Sequence, residues 1–352
     1  MSRARWSCLL VYLALIAGLS SLGKGQKKKQ EQVLPLPPQP PMALRAETAM
    51  LDFHLSPLLK TGGLAAQIHA SLTDLIRDTR GETIVKLRAF VAGSGDARRV
   101  QAEVAQIFTE RKLPLPVLSV MQVGALGQES AKVVIEAVVA TRRTLNPNGL
   151  AFFAGQSGNS LSDSLQALKG AVAAAKVSPD QVLRVSCFTS HIESNERGGG
   201  TVASLFPKAE INLVQALRDP PSDESTCEAV GQLSSPSADG PVVLLRDHRT
   251  TLVSSRQLVF TGLQLSFGSY LDDAHEAFVR LERASTAIDP QEAPVQVNVF
   301  SLDPSGGSAL RKTTAVPPST FSVQTVEGLP SIDATAGIEA VLAPNVEAPV
   351  LR

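Results

Sequence analysis

Cysteine is scarce: 352 residues carry three, Cys8, Cys187 and Cys227. So few cannot build a disulfide framework, and without a Cys-x-x-Cys pair they do not suggest a zinc site. The five histidines (His54, His69, His191, His248, His275) are scattered without ligand spacing. No metal is therefore expected. Aromatics are also few. Trp6 and Tyr12 fall within the first twenty residues, leaving Tyr270 and the phenylalanines to the rest. That argues against a base-stacking platform or a sugar-binding shelf. Nor is there an excess of charge of either sign, with 33 basic and 33 acidic residues. Six of the basic residues lie in 1–41 against one acid, Glu31, so the body from Met42 onward is mildly acidic, at −5. A nucleic-acid partner is not expected from such a body. What the chain does have is 43% hydrophobic residues, enough to bury a sizeable core.

Arg3 and Arg5 precede an apolar run from Trp6 to Leu22 that ends among small residues near Gly18–Gly23. A basic start, a short apolar stretch and a small-residue end predict a signal peptide or anchor over residues 1–23. The Lys27–Lys29 run opposes translocation of its flank, and Met42 offers an alternative start. The expectation is an exported protein, periplasmic or secreted, with any membrane contact confined to this segment. Residues 24–45, with seven residues of Pro-Leu-Pro-Pro-Gln-Pro-Pro at 35–41, read as a tether.

The body carries a threefold pattern. Ile84–Phe90, Val182–Phe188 and Val295–Phe300 are strands of alternating apolar residues ending in phenylalanine. Each follows a helix-like period: Ile68, Leu72 and Leu75, then Leu161, Leu165, Leu168 and Val172, then Leu271, Ala274, Phe278 and Leu281. An apolar strand precedes each helix: Met50–Leu55, Leu150–Ala154 and Leu258–Thr261. Asn146-Pro147-Asn148-Gly149 suggests a hairpin leading into the second. Beyond the Phe strands, Val100, Val104, Ile107 and Phe108 predict a helix. So do Ile211, Val214 and Leu217 after Pro207, whereas the glycine-rich Asp303–Thr314 has a short helix or none. Two strands close each unit: Ser119–Val123 and Lys132–Val139, Thr226–Val230 and Val242–Leu245, Ser322–Val326 and Gly337–Leu342. The reading is an α+β chain of three tandem domains, 46–140, 141–247 and 248–345. Each would have a mixed sheet with two helices on one face, and the three would pack sheet to sheet as an intramolecular pseudo-trimer.

Leu150–Gln156, Ser164–Ala175 and Val182–Phe188 resemble motifs of the Rid family, also called YjgF-like or L-PSP. The resemblance spans about 300 residues, Glu47 to roughly Ala343. It implies a chorismate-mutase-like fold, a monomer standing in for a homotrimer, and a ligand site in clefts between repeats. It also implies cofactor-free hydrolysis of enamines or imines, with an arginine gripping the substrate carboxylate and a glutamate placing water.

Aligned on the Val-x-x-Leu ending of the strand, the arginine position holds Leu118, Ser225 and Phe321. None offers the paired charge-assisted hydrogen bonds of a guanidinium. Glu136 and Glu339 keep one acid of the family's last strand, while Val243-Leu244-Leu245 keeps none. These two glutamates are the candidate water-positioning bases, with a purely structural carboxylate as the alternative. Arg88, Arg184 and Arg246 either supply a carboxylate partner from elsewhere or, more simply, are solvated edge charges. Gln156 either lines a cleft or caps a turn. The strands of Cys187 and Cys227 are neighbours in the family's fold, so the pair is either a disulfide or two buried thiols. The expectation is an exported, non-catalytic protein that binds a small molecule or serves as a scaffold. The alternative is a divergent enamine/imine deaminase of the 2-iminobutanoate/2-iminopropanoate type working in an inter-repeat cleft.

Overall fold

The structure is a computed structural model; it describes residues 38–192, 199–219, 222–268, 272–288, 292–303 and 320–344. The leader at 1–23 and most of the tether lie outside these residues.

In chain order the first elements are β1 (Ala43–Glu47), β2 (Leu51–Leu55), α1 (Leu64–Asp78), β3 (Thr83–Ala92), α2 (Arg98–Glu110), β4 (Val117–Val123), β5 (Ala125–Leu126) and β6 (Val133–Ala140). Then come β7 (Leu150–Gly158), α3 (Leu161–Ala174), β8 (Val182–Thr189), α4 (Gly200–Leu205), β9 (Glu210–Gln215), β10 (Ser225–Gln232), β11 (Val242–Leu244) and β12 (Thr250–Val253). Last are β13 (Gln257–Thr261), β14 (Gln264–Phe267), α5 (Asp272–Thr286), β15 (Glu292–Ser301), β16 (Thr320–Thr325) and β17 (Ala334–Pro344).

The strands form three mixed sheets. Four strands run β2-β6-β3-β4, seven run β11-β12-β7-β10-β8-β9-β5, and six run β1-β13-β17-β15-β16 with β14 also on β17. Each sheet contains one parallel pair: β3 with β4, β8 with β9, and β15 with β16. A parallel pair requires a crossover, and α2 and α4 supply it in the first two sheets. Sheet order does not follow chain order throughout. β1 belongs to the sheet of β13, β12 to that of β7, and β5 to that of β9. Ala43–Glu47, partly within the stretch read as a tether, is thus a paired strand.

β3 is buried along nearly its whole length because both of its faces are covered. Leu87, Ala89 and Val91 pack beneath Ile68, Leu72 and Leu75 of α1 and Val100, Val104 and Phe108 of α2. That i, i+4, i+7 stripe is the periodicity that makes the helix amphipathic. The alternate residues Lys86, Arg88 and Phe90 face the other two sheets. α3 begins where the Ser160 hydroxyl accepts the Asp163 N–H at 3.1 Å, an N-cap.

Several sequence expectations are corrected here. Among the described residues the chain is sheet-rich with few helices, and there only the first sheet carries two full-length helices. α4 has six residues, and α5 is the only helix described with the third sheet. Three chorismate-mutase-like units, each with two helices on one face of a mixed sheet, therefore do not describe this architecture. In the second sheet the physical cause lies at Gly199 and Gly200, which open α4 and add no apolar side chain to a helical stripe. Residues 304–314 lie outside the described residues. The segment after Pro207 is strand β9, not a helix. Ile211 and Leu213 face the helices while Asn212 and Val214 face inward, an alternation of period two. The turn at Asn146–Gly149 links two different sheets instead of closing a hairpin. Gly149 has φ of +96°, and a Cβ there would lie 2.0 Å from the Val253 carbonyl oxygen, so glycine is required. Among the described residues no helix is long and apolar enough to cross a membrane.

Candidate functional site

The three sheets meet over a buried polar layer. Its composition follows from strand register. Arg88 of β3 pairs with Glu136 of β6, Ser186 of β8 with Glu228 of β10, and Asn298 of β15 with Glu339 of β17. On the parallel side the same three residues face Ser119, Asn212 and Ser322. Two residues earlier, on the same strand face, stand Lys86, Arg184 and Gln296; two residues later stand Phe90, Phe188 and Phe300. Apolar layers close both ends. Phe53, Phe152 and Phe260, opposite Val138, Val230 and Val341, seal one end. The phenylalanines that end the three strands seal the other.

Arg88 is the hub. Its Nε donates to Glu136 Oε2 at 2.7 Å, one terminal nitrogen donates to Glu228 at 2.9 Å, and the other reaches Glu339 at 3.5 Å. One guanidinium thus ties together a glutamate from each sheet. Glu136 also accepts from Ser186 Oγ and from Asn212 Nδ2, and lies 3.3 Å from Arg184. Glu339 pairs with Lys86 Nζ at 2.9 Å and accepts from Asn298 Nδ2 and Ser119 Oγ. Glu228 accepts from Gln296 Nε2 at 3.3 Å.

All of these charges are buried, with Arg88 3% exposed and each glutamate 1%. Burial alone would raise the Glu136 carboxyl, but Arg184, Arg88 and the Ser186 hydroxyl hold it down at about 2. Glu339 is likewise lowered against burial by Lys86, Arg88 and Ser119. Burial and the like charges of Arg88 and Arg184 push Lys86 below its ordinary value, against the pull of Glu339. Arg88 is raised, the three carboxylates outweighing its burial. Three cations face three carboxylates, so no charge is left over for a ligand. The space among them is about 20 Å³, the room of a single water. Arg184 Nε and Asn298 Oδ1 are without hydrogen-bond partners among the described residues.

The structure brings Glu136 and Glu339 together around one arginine. Glu228 is the third carboxylate, which sequence reasoning missed because β10 was aligned with the strands of Leu118 and Phe321. Register places Ile211, not Ser225, at the position equivalent to Leu118 and Phe321: these three pair with Val185, Leu87 and Val297. All three pack in the apolar clusters of their sheets. Ser225 is elsewhere, lining a surface cleft, and its carbonyl accepts the Ser164 hydroxyl. Arg88 and Arg184 are enclosed cations and not solvated edge charges; Arg246 is exposed. Gln156 is buried, and its amide donates to the Ala154 carbonyl at 2.9 Å. Cys187 and Cys227 sit directly across β8 and β10 and are joined by a disulfide. The signal for Arg88 was present as strand alternation: Lys86 and Arg88 share a face with Phe90, which has to be buried. Among the described residues no group of His, Cys, Asp and Glu side chains could hold a metal ion.

No protein-family model matches the chain, and no curated protein is a significant match. The solved structures it aligns with include a chorismatase (11% identity over 85% of this chain and 99% of that one, TM-score 0.25). A cyanuric acid hydrolase from A. caulinodans aligns at 11% identity over 86% and 100%, with a TM-score of 0.23. T. maritima PurL complexed with FGAR aligns at 9% identity over 83% and 72%, TM-score 0.28. At such TM-scores none of these carries an argument about activity. The resemblance read from the sequence motifs is corrected by the absence of any matching family model and by the sheet-rich architecture with few helices. The YjgF-like, L-PSP assignment is withdrawn.

Proposed function

We propose that this protein is a non-catalytic small-molecule-binding protein whose central charge cluster is a structural pin, and that it acts outside the reducing cytosol. The observation that carries the reading is the balance of the cluster. A water-positioning base needs a carboxylate free to face substrate, and a carboxylate grip needs a spare cation. Here every glutamate is engaged by cations or amides of the protein, in a space of about 20 Å³. The Cys187–Cys227 disulfide supports the oxidising location, since such bonds persist mainly outside the cytosol.

The test is an assay with enzymatically generated 2-imino acids, which would probe the carboxylates most directly. The expected result is ammonia release at the free-solution rate, with and without Glu136→Gln. Acceleration that disappears in that variant would overturn the reading.

A further inference from the structure

β4, β9 and β16 are the strands that pair in parallel with the three strands carrying Phe90, Phe188 and Phe300. On two of them the far edge is closed by a short antiparallel segment from a neighbouring sheet. On β9 that segment is β5: Gly124 N–H donates to the Gln215 carbonyl at 2.8 Å, and Gly127 N–H to that of Leu213 at 3.0 Å. On β4 it is Glu327 and Gly328: Gln122 N–H donates to the Gly328 carbonyl at 2.6 Å, and the Gln122 carbonyl accepts Glu327 N–H at 2.9 Å. Each segment brings a leucine, Leu126 or Leu329, into the apolar layer of Phe90, Phe188 and Phe300, where it is buried.

The third segment breaks the pattern. Met121, Val214 and Gln324 stand opposite Phe90, Phe188 and Phe300. Five residues further along the chain stand Leu126, Asp219 and Leu329. An aspartate cannot take the leucine's place in an apolar layer without losing its hydration, which is costly. Asp219 is accordingly exposed, and Arg218 beside it turns to Glu327 at 3.1 Å. The corresponding place, on the edge of β16, is a cleft of about 170 Å³. Phe188, a member of that apolar layer, lines it together with Leu217 and Val323.

The backbone of β16 is oriented to receive a strand. Val326 N–H donates to the Ser301 carbonyl of β15 at 2.9 Å. In a parallel ladder alternate residues direct their peptide groups to opposite sides, so Val323 and Thr325 turn theirs away from β15. Both are half-buried, and both line the cleft. By register Thr325 is the counterpart of Gln122 and Gln215, and Val323 of Leu213, the residues that hold the other two segments.

We propose that this cleft binds a short extended peptide, antiparallel to β16. Its backbone pairs with Thr325 and Val323, and a branched aliphatic side chain enters as Leu126 and Leu329 do beside the other two edges. The proposal rests on the binding reading above and deepens it by naming the class of ligand.

Calorimetric titration of the full chain with acetyl-Val-Gly-Ala-Leu-Gly-amide, the sequence of residues 123–127, tests it. The peptide should bind one to one. An analogue with aspartate in place of the leucine should bind at least tenfold more weakly. So should an analogue N-methylated at its first glycine, which lacks the N–H that would donate to the Thr325 carbonyl. Thr325→Pro removes an N–H that serves no ladder bond, a change an edge strand tolerates. It should weaken the peptide at least fivefold with Tm little changed. The analogues probe the unaltered chain, so the outcome does not depend on how that variant folds. No binding by the leucine peptide, or equally tight binding by either analogue, would overturn the site. Cleavage of the bound peptide would support the site and overturn the non-catalytic reading; loss of peptide binding alone would leave that reading to the ammonia assay.

Discussion

Arg88 bears most of the electrostatic load in this molecule. Its guanidinium is planar and forked, and it reaches three carboxylates from three sheets at once. Replacing it with methionine would keep most of the volume and strand three buried carboxylates. Removing one partner of a buried ion pair costs about 3–5 kcal/mol. Arg88→Met should therefore lower stability by at least about that much, read as a fall in the urea midpoint with an unchanged slope. Loss of less than about 1 kcal/mol would show that the cluster is not a pin. At this scale the sequence was partly legible. The alternation Lys86–Arg88–Phe90 places two cations beside a core phenylalanine, which already excludes a solvated edge. The identity of their partners was not legible, because Glu228 and Glu339 are 140 and 251 residues from Arg88.

Among the elements, β9 and β10 are where sequence reasoning went astray. Ile211, Val214 and Leu217 fit a helical period, yet Ile211, Leu213 and their neighbours also alternate, and short apolar runs do not discriminate between the two. Tertiary context settled it: β8 needed a parallel partner, and Asn212 is the residue that meets Glu136. Once β9 takes that place, β10 becomes the strand bearing the glutamate, and Val242–Leu244 becomes an edge hairpin with β12. The disulfide belongs to this scale because it locks β8 to β10 across a sequence separation of 40. Closing such a loop stabilises by about 2–4 kcal/mol. The double variant Cys187→Ala, Cys227→Ala should lose that amount in denaturant unfolding. Intact mass should rise by two hydrogen atoms when a thiol reductant opens the disulfide of the parent under denaturing conditions. No mass change on reduction would show free thiols.

For the whole molecule, the cluster makes stability depend on acid. The Glu136 carboxyl is depressed to about 2 in the fold, against an ordinary value of 4.5. Its contribution is complete above the ordinary value and is lost as pH falls through the depressed one, roughly 3 kcal/mol in all. Glu339 is shifted in the same direction and adds to the same limb. His54, raised chiefly by its hydrogen bond to Asp52, has the opposite sign: its contribution is full below 6.5 and fades as pH rises through its raised value. Thermal unfolding followed against pH should show a loss beginning near 4.5 and deepening towards 2. Arg88→Met should flatten that limb. A parent with the same Tm at pH 5 and pH 2.5 would contradict the charge network.

Local patterning determined which stretches are strands and which are helices in most of the chain, because a buried helix and a two-sided strand require different apolar periods. It also placed a phenylalanine at the end of three strands and two lone cysteines on strands. Only the tertiary structure decided which sheet each strand joins, which carboxylates share one arginine, and where a cleft stays open. Those outcomes depend on contacts between residues far apart in the chain, formed when three half-covered sheets bury their remaining faces against one another, and no local period encodes them.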